Sequence, residues 1–326
     1  MSARTFDFGN AVFHFFSVAG RKPGAALWIA LWQSIFTAGL AYLAFATIGD
    51  FYIFLFQQMA SGAEPTEAEI LSQMSGVLSF MPLISIGGIL IALMAQAAWL
   101  RLLTRDEVAA VIPFRLGADE LRLFATNVGM MVVAFLLYIA VLIVTMVIGV
   151  VFAASMSGGG DMAALGVAGG MGIAIFILAL ICLAVFVAVR LSAAPATTVL
   201  ERRIAFPSWG ATKGIFWPVL GSYVVAAIVI FILSTIVGTL INFSILGALM
   251  PMFGTLVEAA QNGGQPDPEQ IQQILQDTFT SSGTITALIA AGLLTVILRS
   301  FVDGIWHGIG AYVARSNQPE TPVAED

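Results

Sequence analysis

The segment Val128–Met156 reads VGMMVVAFLLYIAVLIVTMVIGVVFAASM and contains no charged side chain. A helix needs roughly 20 apolar residues to cross the hydrocarbon core of a bilayer, so this segment is long enough to span a membrane. Five other segments have the same character, although Arg299 interrupts the last of them. Together they predict six transmembrane helices, at Ala25–Ile48, Val77–Leu100, Val128–Met156, Ala164–Val189, Val219–Leu249 and Thr284–Val302.

The composition of the whole chain supports this interpretation. Hydrophobic residues make up 59% of the 326 residues, charged residues make up only 10%, and the mean hydropathy is +0.97. A soluble domain carries about 25% charged residues, so water-soluble enzymes, nucleic-acid-binding proteins and disordered chains are excluded. The apolar runs are continuous, whereas barrel strands alternate apolar and polar residues. We therefore expect an all-α, polytopic membrane protein with six transmembrane helices in three helical hairpins.

The charged residues divide between the two faces of the membrane. All 13 lysines and arginines fall in the N-terminal segment, in the loops after the second and fourth spans, or at the end of the sixth span and beyond it. The other loops carry acidic residues and no cation. By the positive-inside rule this pattern places both termini in the cytoplasm. The inner face is then net positive, although the chain has a formal charge of −6.

A sequence pattern recurs before each odd-numbered span. An apolar residue precedes Gly, and two large apolar residues follow at six and seven positions after it, in copies that contain Phe8-Gly9, Leu116-Gly117 and Trp209-Gly210. This spacing places the apolar side chains on one face of a helix. We predict a single integral membrane domain over 1–326, with repeats at about 5–103, 110–203 and 206–315 and a cytoplasmic tail at 316–326. Each repeat consists of an interfacial amphipathic helix and a hairpin; chance similarity among apolar segments is the alternative.

Two of the outer loops contain signals for the start of a helix. Thr66 and Glu69 fit a capping box, in which each side chain caps the backbone of the other residue. Asp267, followed by Pro268 and Glu269, is a close variant. We expect short outer helices at about Glu67–Met74 and Glu269–Asp277.

The stretch after the fourth span is the most distinctive part of the chain. It begins at Arg190 as RLSAAPATTVLE and continues from Phe206 as FPSWGATKGIFW. Near the N-terminus, the predicted helix around Phe8-Gly9 is followed by Arg21-Lys22-Pro23. These features resemble the bacterial membrane-domain family that is attached to some glycerophosphoryl diester phosphodiesterases and also occurs as stand-alone integral membrane proteins.

This resemblance implies a multi-helix domain in the bacterial inner membrane. It does not imply phosphodiesterase activity, because the catalytic domain of that family is a separate soluble barrel. No segment outside the predicted spans is long enough to form such a barrel. We therefore expect that the protein is not an enzyme.

Several cations near the inner face are candidates for binding anionic lipid. Arg101, Arg190 and Arg299 each lie at the cytoplasmic end of an even-numbered span. Arranged around a common axis, they would form a ring that grips lipid phosphates or an anionic solute. The alternative is that each arginine extends separately to the membrane interface. Arg21 and Lys22, just before the first span, are candidates for contact with lipid phosphates next to an interfacial helix.

Arg299, Asp303 and His307 lie on successive turns of one helix face. Because an ionisable side chain in hydrocarbon is costly, we expect this face to point into the bundle. Arg299 is then paired with Asp303, either in a site for an anion or in a purely structural pair.

Polar and small residues within the spans predict contacts between helices. Gln33 and Gln96 interrupt apolar runs and predict interhelical hydrogen bonds, and Gly304 with Gly308 predicts the close approach of another helix.

The remaining chemistry favours binding over catalysis. The two histidines have no set of carboxylate or thiolate ligands beside them, and no nucleotide-binding or hydrolase motif occurs, so we expect no metal and no cofactor. The first hypothesis is a non-enzymatic protein that binds or organises anionic membrane lipid, or that is a scaffold for membrane-protein partners or for a homo-oligomer. The second is a small transporter or channel for an anionic or amphiphilic solute. We expect no nucleic-acid partner.

Reporter fusions test the predicted topology. Each position is measured with a paired periplasmic and cytoplasmic reporter. Fusions at Ala63, Gly159 and Gly264 are expected to be extracytoplasmic, and those after Asp106, Arg203 and Gln318 cytoplasmic. A cytoplasmic signal at Gly264 would contradict the six-span topology.

Overall fold

The computed structural model of the chain describes residues 6–61, 65–157, 162–206, 208–261, 273–274, 276–278 and 280–318. Within these residues every regular element is a helix, which confirms the all-α class for this part of the chain. We number the main helices α1 (Phe8–Arg21), α2 (Pro23–Ser61), α3 (Glu67–Arg105), α4 (Ala118–Ser157), α5 (Met162–Leu191), α6 (Ala194–Glu201), α7 (Phe216–Gln261) and α8 (Ser282–Ser316).

Six stretches of helix in the described residues are long and apolar enough to cross a membrane. They are Pro23–Gly49, Glu67–Arg105, Ala118–Val150, Ala174–Glu201, Phe216–Thr255 and Ser282–Ser316, and each overlaps one of the six predicted runs. The helices are longer than a bilayer requires. At 1.5 Å per residue the 46 residues of α7 extend roughly 70 Å, about twice the thickness of the hydrocarbon core. Part of the helical structure therefore lies outside the hydrocarbon.

Only the first of the three predicted interfacial helices is a separate element. α1 begins after Asp7, whose carboxylate accepts a hydrogen bond from the backbone N–H of Asn10 at 2.9 Å, and it packs against α7 and α8. The second copy forms the first turns of α4 and continues into the span without a break. The prediction of an interfacial helix before every hairpin therefore needs correction.

The third copy of the repeated pattern, which precedes α7, forms a series of turns and not a helix. Residues 208–215 contain hydrogen bonds from Ala211 N to Ser208 O at 3.0 Å and from Ile215 N to Thr212 O at 3.3 Å. Gly214 has φ +82°, a conformation that a right-handed helix does not contain and that Gly adopts without steric cost. This glycine separates the turns from α7.

The helix starts that were predicted in two outer loops are only partly confirmed. The capping box is confirmed, since Thr66 N donates to Glu69 Oε2 at 2.9 Å and Glu69 N donates to Thr66 Oγ1 at 3.3 Å. It caps a long helix, however, because Glu67–Met74 forms the first two turns of α3 and is not a separate short helix. The variant signal at Asp267 and most of Glu269–Asp277 lie outside the described residues.

Almost all the buried side chains lie at one end of the molecule. This end contains the first residues of α2, α4 and α7, the last residues of α3, α5 and α8, and all of α1 and α6. We call it the arginine-rich end, because it holds Arg101, Arg105, Arg190 and Arg315. Beyond it, the long helices expose many large apolar side chains, as expected for surfaces that face lipid. The packing that defines the fold is therefore concentrated in one region.

Phe15 fixes α1 against α8 in this region. A Cβ atom on Gly304 would overlap Phe15 Cε2 and lie 2.9 Å from Phe15 Cδ2, and a Cβ on Gly308 would lie 3.2 Å from the backbone nitrogen of Phe15. The Phe15 ring also packs edge-on against Trp99, with ring centroids 5.5 Å apart. The close contact predicted from Gly304 and Gly308 is confirmed, and the partner is α1.

We predict opposite effects for two glycine substitutions in α8. Gly304→Ala is expected to lower the thermal unfolding temperature in detergent, because the Phe15 ring is confined by Trp99 and Phe301 and cannot move away cheaply. Gly292→Ala is the matched control. Within the described residues, no side chain and no other helix lies within 4 Å of its Cβ position, so a stabilisation of roughly 0.5–1 kcal/mol from helix propensity is expected. Equal unfolding temperatures for the two variants would contradict the conclusion that Phe15 leaves no room for a side chain at position 304.

Candidate functional site

A buried amide joins three helices at the arginine-rich end. The Gln33 carbonyl oxygen accepts hydrogen bonds from Trp99 Nε1 at 3.1 Å and from Ser300 Oγ at 2.7 Å. Its amide nitrogen donates to Asp303 Oδ2 at 2.9 Å. These bonds connect α2 with α3 and α8, which confirms the interhelical role predicted for Gln33. Such hydrogen bonds favour contact between helices over contact with lipid, because lipid tails offer no hydrogen-bonding groups.

Arg101 is engaged inside the protein. Its side chain is 4% exposed and its guanidinium forms an ion pair and hydrogen bond with Glu120, which is 2% exposed. It also donates to Pro113 O at 2.9 Å, while Glu120 accepts from the backbone N–H of Gly117 at 3.0 Å. Arg101 therefore holds the start of α4 against the end of α3, and the structure does not place it at a surface where lipid phosphates would lie.

Arg190 is also surrounded by protein groups. It donates to Thr212 O at 2.9 Å, and its guanidinium carbon lies 5.2 Å from the ring centroid of Phe186 and 5.8 Å from that of Phe216. The Arg190 carbonyl accepts from Ser208 Oγ at 3.2 Å. These contacts secure the turns of 208–215 against the end of α5. The three arginines of the predicted ring thus have separate partners.

Arg299, Asp303 and His307 do not all face the bundle. The predicted pair is confirmed, with Arg299 Nε 3.2 Å from Asp303 Oδ1. The predicted inward orientation is wrong for Arg299, whose side chain is 71% exposed, whereas that of Asp303 is 25% exposed. Gln33 holds Asp303 inside, and the long arginine side chain reaches it from the outer surface of α8. His307, one turn beyond Asp303, lines the cleft described below, whereas Arg299 reaches Asp303 from the exposed surface.

Arg21 and Lys22, the two residues near the N-terminus that were predicted to contact lipid phosphates, have different surroundings. Lys22 Nζ donates to Asp106 O at 2.8 Å and lies 3.7 Å from Asp106 Oδ1. Arg315 contributes a second cation at 3.4 Å from Asp106 Oδ2. Arg21, at the end of α1, is exposed. Lys22 is thus partly used to join α1 and α2 to the end of α3, and Arg21 is open to the surroundings.

His14 contributes to the same junction from α1. Its Nε2 forms a hydrogen bond with Leu103 O at 3.0 Å, so this nitrogen carries the proton in the neutral imidazole. Burial is the main cause that lowers the pKa of His14 below its usual value, and the positive charges of Arg315 and Arg21 act in the same direction. The neutral donor form is therefore favoured in the folded protein.

A cleft of about 390 Å³ lies at the border between the arginine-rich end and the lipid-facing helices. Its walls come from six helices, α3 to α8, and most of them are apolar. Ala188 and Trp306 are exposed beside it, so the cleft opens laterally. Its volume lies within the range of roughly 300–1,000 Å³ that is usual for small-molecule sites.

A few uncharged polar groups interrupt the apolar walls. Asn127 Nδ2 donates to Gln96 Oε1 at 2.7 Å, which joins α3 to α4 and confirms the interhelical role predicted for Gln96. Tyr223 and Ser192 also line the cleft, and the Ser192 hydroxyl donates to Val189 O at 2.9 Å. His307 is the only predicted anion-binding residue among the residues that line the cleft.

Sequence reasoning missed two residues of this cleft. Asn127 precedes the third span, and Tyr223 lies inside the fifth. Both are polar groups within or next to apolar helix, the same signal that singled out Gln33 and Gln96. Applied to every polar residue of the spans, that signal would have found them.

A second, charged pocket of about 460 Å³ lies near the start of α4. It contains arginines and carboxylates that pair with each other. Arg105 Nη2 lies 2.5 Å from Asp119 Oδ2, and Arg202 Nη2 lies 3.3 Å from Glu107 Oε1. Within the described residues, no group of three or more His, Cys, Asp or Glu side chains could hold a metal ion.

Comparison of the chain with models of protein families, with curated proteins and with solved structures gives no match in any of the three. The resemblance to the membrane domain of glycerophosphoryl diester phosphodiesterases stays a prediction from the sequence. The functional argument therefore rests on the geometry of the chain itself.

The Arg101–Glu120 pair predicts a distinctive pattern of stabilities. Arg101→Met is expected to destabilise the protein by about 3–5 kcal/mol, because it leaves the Glu120 carboxylate buried without its partner. Adding Glu120→Gln is expected to recover much of this loss, since the amide removes the charge and can still accept from Gly117 N. Thermal unfolding in detergent, with and without anionic lipid, measures both variants. If Arg101→Met leaves stability intact but removes the response to anionic lipid, Arg101 binds lipid instead.

Proposed function

We propose that the chain is a non-enzymatic membrane protein that holds a membrane lipid in the lateral cleft at its arginine-rich end. The main observation that supports this proposal is the cleft itself. It combines apolar walls with a small number of polar groups, and it opens beside the exposed Ala188 and Trp306. A binding site of this composition suits an amphiphile.

The position of the cleft supports a lipid as the ligand. The lining residues Val189 and Leu100 are buried in the packed end, whereas Val185 and Trp306 are exposed. Apolar chains can therefore lie along the lipid-facing helices while the polar part of the same molecule reaches the cleft. A soluble ligand would gain nothing from these apolar helix surfaces.

The proposal includes an orientation in the membrane. We place the arginine-rich end at the cytoplasmic face of the bacterial inner membrane, with both termini inside and the long helices arranged as three hairpins. The distribution of cations supports this orientation. α1 exposes Phe13 and Phe16 while its other face is buried, which supports an interfacial position for this helix.

Contact with anionic lipid is assigned to the outer surface and not to a ring of arginines. Arg21 and Arg299 are exposed, so they are available to headgroups of the inner leaflet. Arg101 and Arg190 are used inside the protein. The alternatives of a transporter, a scaffold for protein partners and a homo-oligomer stay predictions from the sequence.

Obstruction of the cleft tests the proposed function. Ala188→Trp adds a large side chain to an exposed position of the cleft wall and is expected to reduce several-fold the lipid that co-purifies with the protein. Ala179→Trp is the matched control, because residue 179 is exposed on the opposite face of α5, nine positions earlier. Mass spectrometry of lipid per mole of purified protein makes the comparison. Equal lipid content in both variants would contradict lipid binding in the cleft.

A further inference from the structure

The residues that line the cleft include no arginine, lysine, aspartate or glutamate. The cations nearest in sequence have other partners: Arg101 pairs with Glu120, and Arg190 donates to Thr212. A phosphate group that entered the cleft would give up its hydration without gaining a cation. The free energy of burying an unpaired charge is high, so the cleft is unfavourable for the headgroup of a phospholipid.

The amides of Gln96 and Asn127 present both kinds of hydrogen-bonding group to the cleft. The bond from Asn127 Nδ2 to Gln96 Oε1 leaves Gln96 Nε2 as a donor and Asn127 Oδ1 as an acceptor. Within the described residues no other hydrogen bond involves either side chain. If the oxygen and nitrogen atoms of both amides exchanged places, Asn127 Nδ2 would be the remaining donor and Gln96 Oε1 the remaining acceptor. The pair can therefore bind a partner that both accepts and donates a hydrogen bond.

The opposite wall adds an imidazole and a phenol. The His307 ring lines the cleft and has no hydrogen bond with any described residue. The Tyr223 hydroxyl can donate one hydrogen bond and accept others. These groups match hydroxyl and ester oxygens, which are uncharged and carry one donor or none.

We propose that the cleft selects a lipid whose polar end is an uncharged hydroxyl group, and that it discriminates against the corresponding phosphate. This inference rests on the proposed function, because it names the chemical class of the lipid in the same cleft. A hydroxyl donates to Asn127 Oδ1 and accepts from Gln96 Nε2. A fully ionised phosphate monoester has only acceptor oxygens and leaves Asn127 Oδ1 without a donor, and a singly ionised one keeps a P–OH donor but brings a negative charge into a cleft lined by no arginine or lysine. A diacylglycerol and a long-chain alcohol both have the required chemistry.

The test compares two diacyl lipids that differ only in the polar group, together with a single-chain alcohol. The full-length protein in phosphatidylcholine nanodiscs is titrated with dioleoylglycerol, with dioleoyl phosphatidate and with oleyl alcohol, and the dissociation constants are obtained from the rise in unfolding temperature. Dioleoylglycerol is expected to bind at least roughly tenfold more tightly than phosphatidate, as one additional hydrogen bond and the avoided burial of a negative charge would give. The oleyl alcohol titration shows whether the hydroxyl alone is sufficient or whether the glycerol ester is also required.

Two variants connect the preference to the amide pair. Gln96→Met with Asn127→Leu replaces both amides by apolar side chains of similar size, leaves no orphaned partner, and is expected to abolish the preference for dioleoylglycerol. Asn242→Leu is the control, since Asn242 is an exposed amide of α7 whose one hydrogen bond within the described residues is to Gly238 O of its own helix, at 2.8 Å. The control is expected to keep the preference of the wild-type protein.

The outcomes separate this inference from the proposed function. If phosphatidate binds the wild-type protein as tightly as dioleoylglycerol, and Ala188→Trp weakens both, the cleft binds lipid but the assignment of the headgroup is wrong. If the amide double variant keeps the preference, the amide pair does not select the lipid and the inference is overturned. If neither lipid binds and Ala188→Trp has no effect, the proposed function itself fails. The comparison of lipids on the wild-type protein does not depend on the folding of any variant.

Discussion

The hydrogen bonds of the Gln33 amide are the interaction on which the arrangement of the packed end depends. In a bilayer, apolar helix surfaces gain little from contact with each other, because lipid chains are equally apolar. Trp99 on α3 and Ser300 and Asp303 on α8 all bind this one side chain of α2. The amide thereby fixes the relative rotation and height of three helices at once. Close packing then stabilises an arrangement that the hydrogen bonds have selected.

The position of α1 follows from that arrangement. Once α3 and α8 are aligned, Trp99 and the Gly304–Gly308 surface form two walls of a notch of the right width for Phe15. α1 is consequently not only a helix on the membrane surface; it is a packed element of the bundle. The same alignment places His307 and Trp306 along the cleft, one turn beyond Asp303.

The sequence predicted the features that depend on local pattern. Apolar runs identified the six long helices, the capping box at Thr66 marked the first residue of α3, and isolated amides such as Gln33 indicated contacts between helices. Each of these signals is contained within a few residues or a single helix, so no knowledge of the fold was required.

Features that depend on partners from other helices were not predictable in this way. Arg101 was expected near lipid phosphates because Glu120 lies in another helix, and nothing in the sequence shows that their side chains meet. The third interfacial helix was expected from apolar spacing, but the left-handed conformation of Gly214 ends the helical pattern there. The lateral cleft is formed by six helices and has no local signature.

The outward orientation of Arg299 has a consequence for the vertical position of the whole protein. The segment of α8 from Ser282 to Arg299 rises roughly 26 Å, close to the thickness of the hydrocarbon core. The pair with Asp303 turns the guanidinium toward the arginine-rich end. Sliding α8 farther into the bilayer would draw this exposed charge into hydrocarbon, so Arg299 would limit the depth to which α8 can enter the membrane. The cleft would then stay at a constant level relative to the headgroups, while the helices beyond it could tilt as the bilayer thickens or thins.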